Sequence, residues 1–292
     1  MKVGGFTFIR NAVKNDYPVV EAITSILPIC DEFVVALGNS DDNTEELILG
    51  INSSKIKIIR TVWDDTLREG GVVFANQTDI AFNNLSADVD WAFYIQGDEC
   101  VHEKYLPIIK KEMENNLTNK SVEGLLFKYL HFYGSYDYYG HSRRWYRREI
   151  RILRNNKAIH SYRDAQGFRL DGRKIQVKLI DAYVYHYGWV KPPEGLKNKI
   201  RNFNQFYHSD EWLKNNIPET FEFDYKNADR LIQFTDTHPK VMLNRINSIN
   251  WKLNLDTKKL SQKMSFRRKV LQKIEDLTGW RVSEYRNYKI IK

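Results

Sequence analysis

The chain has 292 residues, of which 42% are hydrophobic and 28% charged, with a formal net charge of +8 at pH 7. These proportions are typical of a soluble globular protein. The two cysteines, Cys30 and Cys100, are too few for a disulfide framework and indicate a reducing compartment. No apolar run reaches the roughly 18 residues of a membrane span, and the first residues lack a signal-peptide core. We therefore expect a cytoplasmic protein.

The charges are unevenly distributed along the chain. Acidic residues predominate before residue 127 and basic residues after it. A nucleic-acid-binding protein is more often basic throughout its recognition domain, so we expect no nucleic-acid partner. The division suits a site with a cation on one wall and phosphates on the other. Ordinary solvated surface charge explains the counts equally well.

In chain order, the first hundred residues predict strands that alternate with helices. The predicted strands are 3–9, 32–37, 55–62 and 91–95. The predicted helices are 18–29, the second part of 38–51, and 72–85. Parallel strands need crossover connections, so this alternation predicts a doubly wound, mostly parallel α/β sheet. Ligands of such sheets bind beyond the carboxyl ends of the strands.

From residue 122 onward the pattern changes. The predicted strands are 122–134, 147–154, 174–180 and 181–190, with a tyrosine-rich loop at 133–148. After residues 191–195 the chain is predicted to be mainly helical. We expect a first half of one domain at 1–126, a second half at 127–190, and a helical C-terminal extension at 191–292.

Several short motifs, in their order and spacing, resemble the family 2 glycosyltransferases. They are "FIRNA", "DEFVVALGNSDDNT", "WAFYIQGDE", "RILRNN", "YRDAQGF" and "YHYGWV". The resemblance covers residues 3 to 190 and implies a nucleotide-sugar-binding fold of GT-A type. It also implies inverting transfer of a sugar from a nucleotide-sugar donor, assisted by a divalent metal (Mn²⁺ or Mg²⁺). The implied acceptor is a glycan or glycolipid, in surface polysaccharide or glycolipid biosynthesis.

The resemblance places a metal site at the end of the fourth strand. The family usually has an Asp-x-Asp pattern here; Gln96 replaces the first carboxylate and Asp98 matches the second. Glu99 is expected to coordinate the ion or to face the acceptor, and His186 is a further candidate ligand. An acidic turn after a strand, and a histidine satisfied by hydrogen bonds, are the alternatives.

A general base must remove the proton of the acceptor hydroxyl. The family usually supplies a carboxylate after the arginine-rich strand, and Asp164 occupies that place. Glu149 is the reserve candidate. Asp164 is equally compatible with a plain turn before Gly167.

Some candidate donor-binding residues follow predicted strands, others lie in the arginine-rich strand, and Arg68 and Asn76 resemble the family's base-side contacts. The candidates are Arg10, Asn11, Asn39, Asp42, Arg68, Asn76, Gln96, Arg151 and Arg154. Guanidinium groups match phosphate oxygens, although most of the six arginines between residues 143 and 154 are expected to be solvated. Asp42 or Thr44 is alternatively an N-cap of the following helix.

Two other functions stay open at this stage. A non-catalytic glycan-binding or interaction protein on a degraded transferase fold is favoured by the missing carboxylate at Gln96. A nucleotidyltransferase ranks lower, because the first strand lacks the phosphate-binding glycine loop of that chemistry.

Residues 265–277 predict a basic amphipathic helix. Phe266, Val270, Ile274 and Leu277 share one face, and cations surround it. Such a helix either lies peripherally on an anionic membrane or packs its apolar stripe on the protein's own core.

Overall fold

The computed structural model describes residues 1–68, 70–218, 223–225, 228–251, 253, 255–262 and 264–291. Fourteen strands occur in this part of the chain. They are β1 (Val3–Ile9), β2 (Glu32–Gly38), β3 (Ile56–Thr61), β4 (Trp91–Tyr94), β5 (Glu99–Val101), β6 (Gly124–Tyr133), β7 (Ser135–Gly140), β8 (Arg148–Arg154), β9 (Ile159–Tyr162), β10 (Gly167–Leu170), β11 (Arg173–Lys174), β12 (Gln176–Trp189), β13 (Leu231–Gln233) and β14 (Lys289–Ile290).

Nine α-helices accompany these strands in the same described residues. They are α1 (Val19–Ile26), α2 (Thr44–Leu49), α3 (Val72–Asn83), α4 (Leu106–Asn115), α5 (Pro193–Asn204), α6 (Asp210–Asn216), α7 (Leu243–Asn247), α8 (Thr257–Gln262) and α9 (Phe266–Thr278). None of the helices described is long and apolar enough to span a membrane.

The first four strands form a parallel sheet in the order β3-β2-β1-β4. All four residues of β4 are fully buried, because helices cover both faces of the sheet. Ile23 of α1 belongs to the core on one face, and Phe82 of α3 belongs to the core on the other. This arrangement confirms the predicted parallel α/β sheet in the first half of the chain and places the carboxyl ends of β1 and β4 side by side.

The second half of the sheet adds antiparallel strands. β8 pairs antiparallel with β4 and β6, and β7 continues the sheet to β13. β12 pairs with β6 in parallel and with β5 in an antiparallel sense. The C-terminal region contributes β13 and β14 to this sheet besides its helices. Parallel strands are thus concentrated in the first half of the sheet.

Two details differ from the predicted elements. The predicted strands 174–180 and 181–190 form one strand, β12, with an irregularity between Leu179 and Tyr183 that absorbs the turn-like residues. The predicted loop at 133–148 contains β7, whose alternating tyrosines pack against neighbouring aromatic rings. Both differences come from pairing with distant strands, which local sequence patterns do not encode.

Helix α9 presents its apolar residues to solvent. Phe266 is 83% exposed, Val270 43% and Leu277 77%. The opposite side of the helix contacts the protein through acidic residues, with Glu275 bound by Arg281 and by Arg143. The apolar stripe therefore does not pack on the protein's own core, contrary to one of the two interpretations of this helix.

Candidate functional site

A cavity of about 500 Å³ opens at the carboxyl ends of β1 and β4. Six predicted site residues line it: Arg10, Asn11, Arg68, Gln96, Asp98 and Asp164. The first two follow β1 and the third precedes α3, while Gln96 and Asp98 follow β4. Since β1 and β4 are parallel neighbours, their ends bring these side chains to one edge of the sheet.

Asp98 lies at the inner end of this cavity, between a lysine and a histidine. Its Oδ2 is 2.9 Å from Nζ of Lys199 and 3.6 Å from Nε2 of His186. The three side chains are only 11–14% exposed. Burial alone would raise the pKa of Asp98, but Lys199 and His186 hold this pKa well below its usual range. Asp98 is therefore a carboxylate. Burial alone would lower the pKa of Lys199, but the negative charge of Asp98 raises it.

His186 is oriented by a second buried histidine. Nε2 of His131 is 2.7 Å from the carbonyl oxygen of Tyr146, which can only accept a hydrogen bond. Burial lowers the pKa of His131 well below its ordinary value, so the ring is neutral and its Nδ1 is an acceptor. Nδ1 of His186, at 3.3 Å, therefore donates to it.

Glu99 does not face the cavity. Its two carboxylate oxygens lie 2.7 and 2.8 Å from Nη2 and Nε of Arg151, and Tyr129 donates a further hydrogen bond at 2.8 Å. Both members of the ion pair are fully buried. This corrects two expectations together: Glu99 has no carboxylate oxygen left for a metal, and Arg151 does not reach a donor phosphate.

The donor set near Asp98 does not fit a divalent ion in this arrangement. No group of three metal-binding side chains occurs in the part of the chain that the structure describes. Lys199 already donates to the Asp98 oxygen nearest His186. An ion about 2.1 Å from that oxygen would lie within about 5 Å of the ammonium. At an effective dielectric constant of about 20, their repulsion is roughly 7 kcal/mol, so lysine and ion compete for this oxygen.

Three other predicted donor-binding residues make structural contacts and do not line the cavity. Asn39 accepts a hydrogen bond from the backbone N–H of Trp63. Asp42 accepts one from the N–H of Thr44 at the start of α2, although the N-cap position itself is occupied by Asn43. Arg154 binds backbone carbonyls of residues 117 and 122 and lies over the ring of Trp91.

Two further predicted residues, one exposed and one buried, also lie outside the cavity. Asn76 is exposed on α3 and is not among the residues that line the cavity. Glu149, the reserve base, is buried outside the cavity, and burial raises its pKa to about 8. Only Asp164 of the two base candidates therefore lines the cavity.

Asp164 sits in a strained four-residue turn between β9 and β10. The residues on either side, Arg163 and Ala165, have φ angles of 57° and 61°. Left-handed conformations cost non-glycine residues about 1–3 kcal/mol each and persist where surrounding structure enforces them. Tyr207 donates a hydrogen bond at 2.9 Å to Oδ2 of Asp164. Burial raises the pKa of Asp164, which favours proton acceptance.

Gly71 makes the contact between Asp164 and Tyr207 possible. It has a φ of 68° at the start of α3, a conformation that favours glycine. A Cβ at this position would lie 2.8 Å from Cβ of Asp164 and 2.6 Å from the hydroxyl of Tyr207. The backbone of α3 can thus approach the turn closely only because residue 71 has no side chain.

The cavity also contains a helix face that the sequence did not assign to it. Lys199, Phe203 and Phe206 of α5 and its following turn line the cavity. Phe206 meets Trp63 and Phe74 in edge-on ring contacts, with centroids 5.5 and 5.0 Å apart. Spacings of four and three residues put the lysine and the two phenylalanines on one face, a signal visible in the sequence.

Comparison with known structures finds similar folds at low sequence identity. Glucosyl-3-phosphoglycerate synthase from Mycobacterium tuberculosis, in complex with Mn²⁺, UDP and phosphoglyceric acid, is 17% identical with a TM-score of 0.31. That match covers 44% of this chain and 43% of that chain, so this chain spans less than half of the synthase. S. aureus TarS 1–349 in complex with UDP is 14% identical, with a TM-score of 0.40 and coverage of 75% and 70%.

No protein-family model matches the sequence, and no curated protein matches it either.

Proposed function

We propose that this chain is an inverting glycosyltransferase that moves a sugar from a nucleotide-sugar donor to a hydroxyl of a glycan or glycolipid acceptor. The observation that carries the proposal is one cavity that joins the carboxylate of Asp164 to the cations Arg10, Arg68 and Lys199. Its volume of about 500 Å³ lies within the range of small-molecule sites. UDP in both structural neighbours is consistent with this substrate class.

In the proposed step, the acceptor oxygen forms a bond to the anomeric carbon of the donor sugar. The bond from that carbon to the diphosphate oxygen breaks, and its electron pair leaves with the diphosphate. Asp164 takes the proton of the acceptor hydroxyl. Attack and departure on opposite sides of the carbon invert its configuration.

The arginines at the cavity are suited to a diphosphate. Arg10 makes a two-point contact with Asp65, and Arg68 contacts Asp210 at 2.5 Å. Asp65 is 58% exposed and Asp210 83%, so each aspartate can turn to solvent when a phosphate replaces it. Guanidinium forks bind phosphate oxygens at two points and with charge assistance.

The aromatic wall is suited to the flat or apolar parts of the donor. Trp63 and Phe74 meet edge to face, and Phe203 stacks on Phe74 with ring centroids 5.6 Å apart. Aromatic faces bind both nucleobases and the apolar faces of sugars.

A divalent ion is the alternative source of positive charge for the leaving group. The synthase structure contains Mn²⁺. On this chain Asp98 and His186 would be its ligands, which requires Lys199 to release Asp98.

The test measures binding and turnover separately. Calorimetry with UDP, GDP, CDP and TDP identifies the nucleotide, and NMR of the products from matching nucleotide-sugars gives the anomeric configuration. We expect Arg10→Ala to weaken diphosphate binding, whereas Arg60→Ala, an exposed arginine away from the cavity, has no effect.

Retention of configuration would contradict the inverting mechanism. Nucleotide or glycan binding without turnover, over the donor and acceptor panel, would favour the non-catalytic alternative. If the chain bound no nucleotide at all, the proposed function would be contradicted.

We also propose that α9 contacts an anionic membrane peripherally, where a glycolipid acceptor would be found. Support comes from its exposed Phe266 and Leu277, flanked by Arg267, Arg268 and Lys269, which are exposed as well. Apolar side chains bury in the lipid interface, and cations bind acidic headgroups.

A further inference from the structure

The ammonium group of Lys199 is fixed at the inner end of the cavity. It donates to Oδ2 of Asp98 at 2.9 Å and to the carbonyl oxygen of Gly188 at 2.8 Å. The rings of Tyr17 and Trp189 lie 5.4 and 5.9 Å from Nζ, at distances suited to cation–π contact. Lys199 is only 13% exposed, so this is a positioned charge and not a mobile surface lysine.

Gly188 makes this position possible. A Cβ at residue 188 would lie 2.4 Å from Oδ2 of Asp98, 2.6 Å from Nζ of Lys199 and 2.9 Å from Cε1 of His186. The end of β12 therefore leaves room for an ammonium where a side chain would stand. A lysine has three N–H donors, and two have acceptors among the described residues. In the part of the chain that the structure describes, the third has no acceptor, and it is available to a ligand in the cavity.

Few carboxylates are available at this place to hold a divalent ion. Gln96 offers a neutral amide where the resemblance expects a carboxylate, and Glu99 is fully engaged by Arg151 and Tyr129. Asp98 is thus the one carboxylate next to His186 among the described residues, and its nearest oxygen is bonded to Lys199.

We propose that Lys199 supplies the positive charge that stabilises the departing diphosphate, so that transfer by this chain does not require a divalent ion. This inference rests on the proposed glycosyltransferase function. Asp98 positions the ammonium, and the remaining N–H of Lys199 binds a phosphate oxygen as negative charge develops there. A charged donor aimed at a developing oxyanion typically accelerates such a step a hundredfold or more.

The experiment compares Lys199→Met, Lys199→Arg and Arg201→Met with the wild-type chain. Arg201 is an exposed cation of the same helix that does not line the cavity, so its variant is the matched control. Transfer is measured after dialysis against EDTA, and again with added Mn²⁺ or Mg²⁺. Thermal unfolding of each variant shows that it is folded.

We expect the wild-type rate to change less than about twofold on metal removal. We expect Lys199→Met to lose about a hundredfold or more, Lys199→Arg to retain part of the rate, and Arg201→Met to match the wild type. Wild-type activity that is lost in EDTA and restored by Mn²⁺ or Mg²⁺ would overturn the inference. So would full turnover by Lys199→Met.

Nucleoside diphosphate affinity gives a readout besides activity. The wild type should bind the diphosphate equally with and without Mn²⁺. Lys199→Met should bind it weakly and recover affinity with Mn²⁺, because Asp98 is then free to hold the ion. Tighter binding by the wild type in Mn²⁺ counts against the inference. A wild type that binds no nucleotide in any condition contradicts the proposed function itself, which is a different result from metal dependence.

Discussion

Arg151 and Glu99 form a fully buried two-point ion pair, with nitrogen–oxygen distances of 2.7 and 2.8 Å. The pair joins β8 to β5, which are not neighbours in the sheet. Glu99 follows Asp98 directly, yet Asp98 lines the cavity and Glu99 does not. In this acidic turn, Glu99 therefore has a structural role, and the adjacent Asp98 is a candidate for a role in the cavity.

Replacing Arg151 by Met should lower the free energy of unfolding by roughly 3–5 kcal/mol, because Glu99 is left charged, buried and unpaired. The double variant with Glu99→Gln should recover part of this loss. Urea denaturation measures both. Arg60→Met, which breaks an exposed pair with Glu45, should change stability little. Wild-type stability of Arg151→Met would contradict the structural role.

Asp164→Asn should reduce transfer by roughly a hundredfold or more while donor binding stays nearly unchanged. Tyr207→Phe removes a hydrogen bond that lowers the pKa of Asp164, so the acidic limb of the rate profile should move to higher pH. Steady-state kinetics between pH 5 and 9 measure both effects. If Asp164→Asn keeps its rate and Glu149→Gln is inactive, the base is the other carboxylate.

Glu149 should make the protein less stable as pH rises from about 4.5 to 8. Burial raises its pKa from 4.5 to about 8, so in this window the folded chain holds a proton that the unfolded chain has released. The free energy of unfolding then falls by up to about 1.4 kcal/mol per pH unit.

Glu149→Gln removes this titration. Urea denaturation at pH 5, 6.5 and 8 should show the variant gaining stability over the wild type as pH increases. Parallel pH profiles for the two proteins would show that Glu149 does not titrate in this range.

The chain should sediment with liposomes that contain acidic lipid, and less so as salt increases. Phe266→Ser combined with Leu277→Ser should reduce sedimentation without loss of folding, because both side chains are exposed. Leu49→Ser, at a 59% exposed leucine on α2, is the control. Absence of binding to acidic liposomes at low salt would contradict the membrane contact. Light scattering of the chain without liposomes distinguishes membrane binding from self-association.

The parallel half of the fold was predictable because short, contiguous sequence patterns define its strands and helices. Four apolar runs with helical segments between them define parallel strands, and parallel strands bring Arg10 and Asp98 to one edge. The direction of Glu99 was not predictable, because it depends on a partner 52 residues away.

Lys199 was missed for a similar reason. Its partner Asp98 is 101 residues earlier in the chain, and nothing beside Lys199 in the sequence marks it as buried. The aromatic residues at its helical spacing were the available signal.

The cations of the cavity each have an aspartate partner before any ligand arrives. Arg10 has Asp65, Lys14 has Asp41, Arg68 has Asp210, and Lys199 has Asp98. Three of these aspartates are 58–83% exposed, while Asp98 is 14% exposed.

An entering anion would therefore exchange with protein carboxylates and would release few salt ions from the cavity. Counterion release is what makes association with a basic surface fall steeply with ionic strength. Despite its four cations, the cavity should bind anions with a shallow dependence on salt. When the ligand displaces the three exposed aspartates from their cations, their carboxylates would turn to solvent.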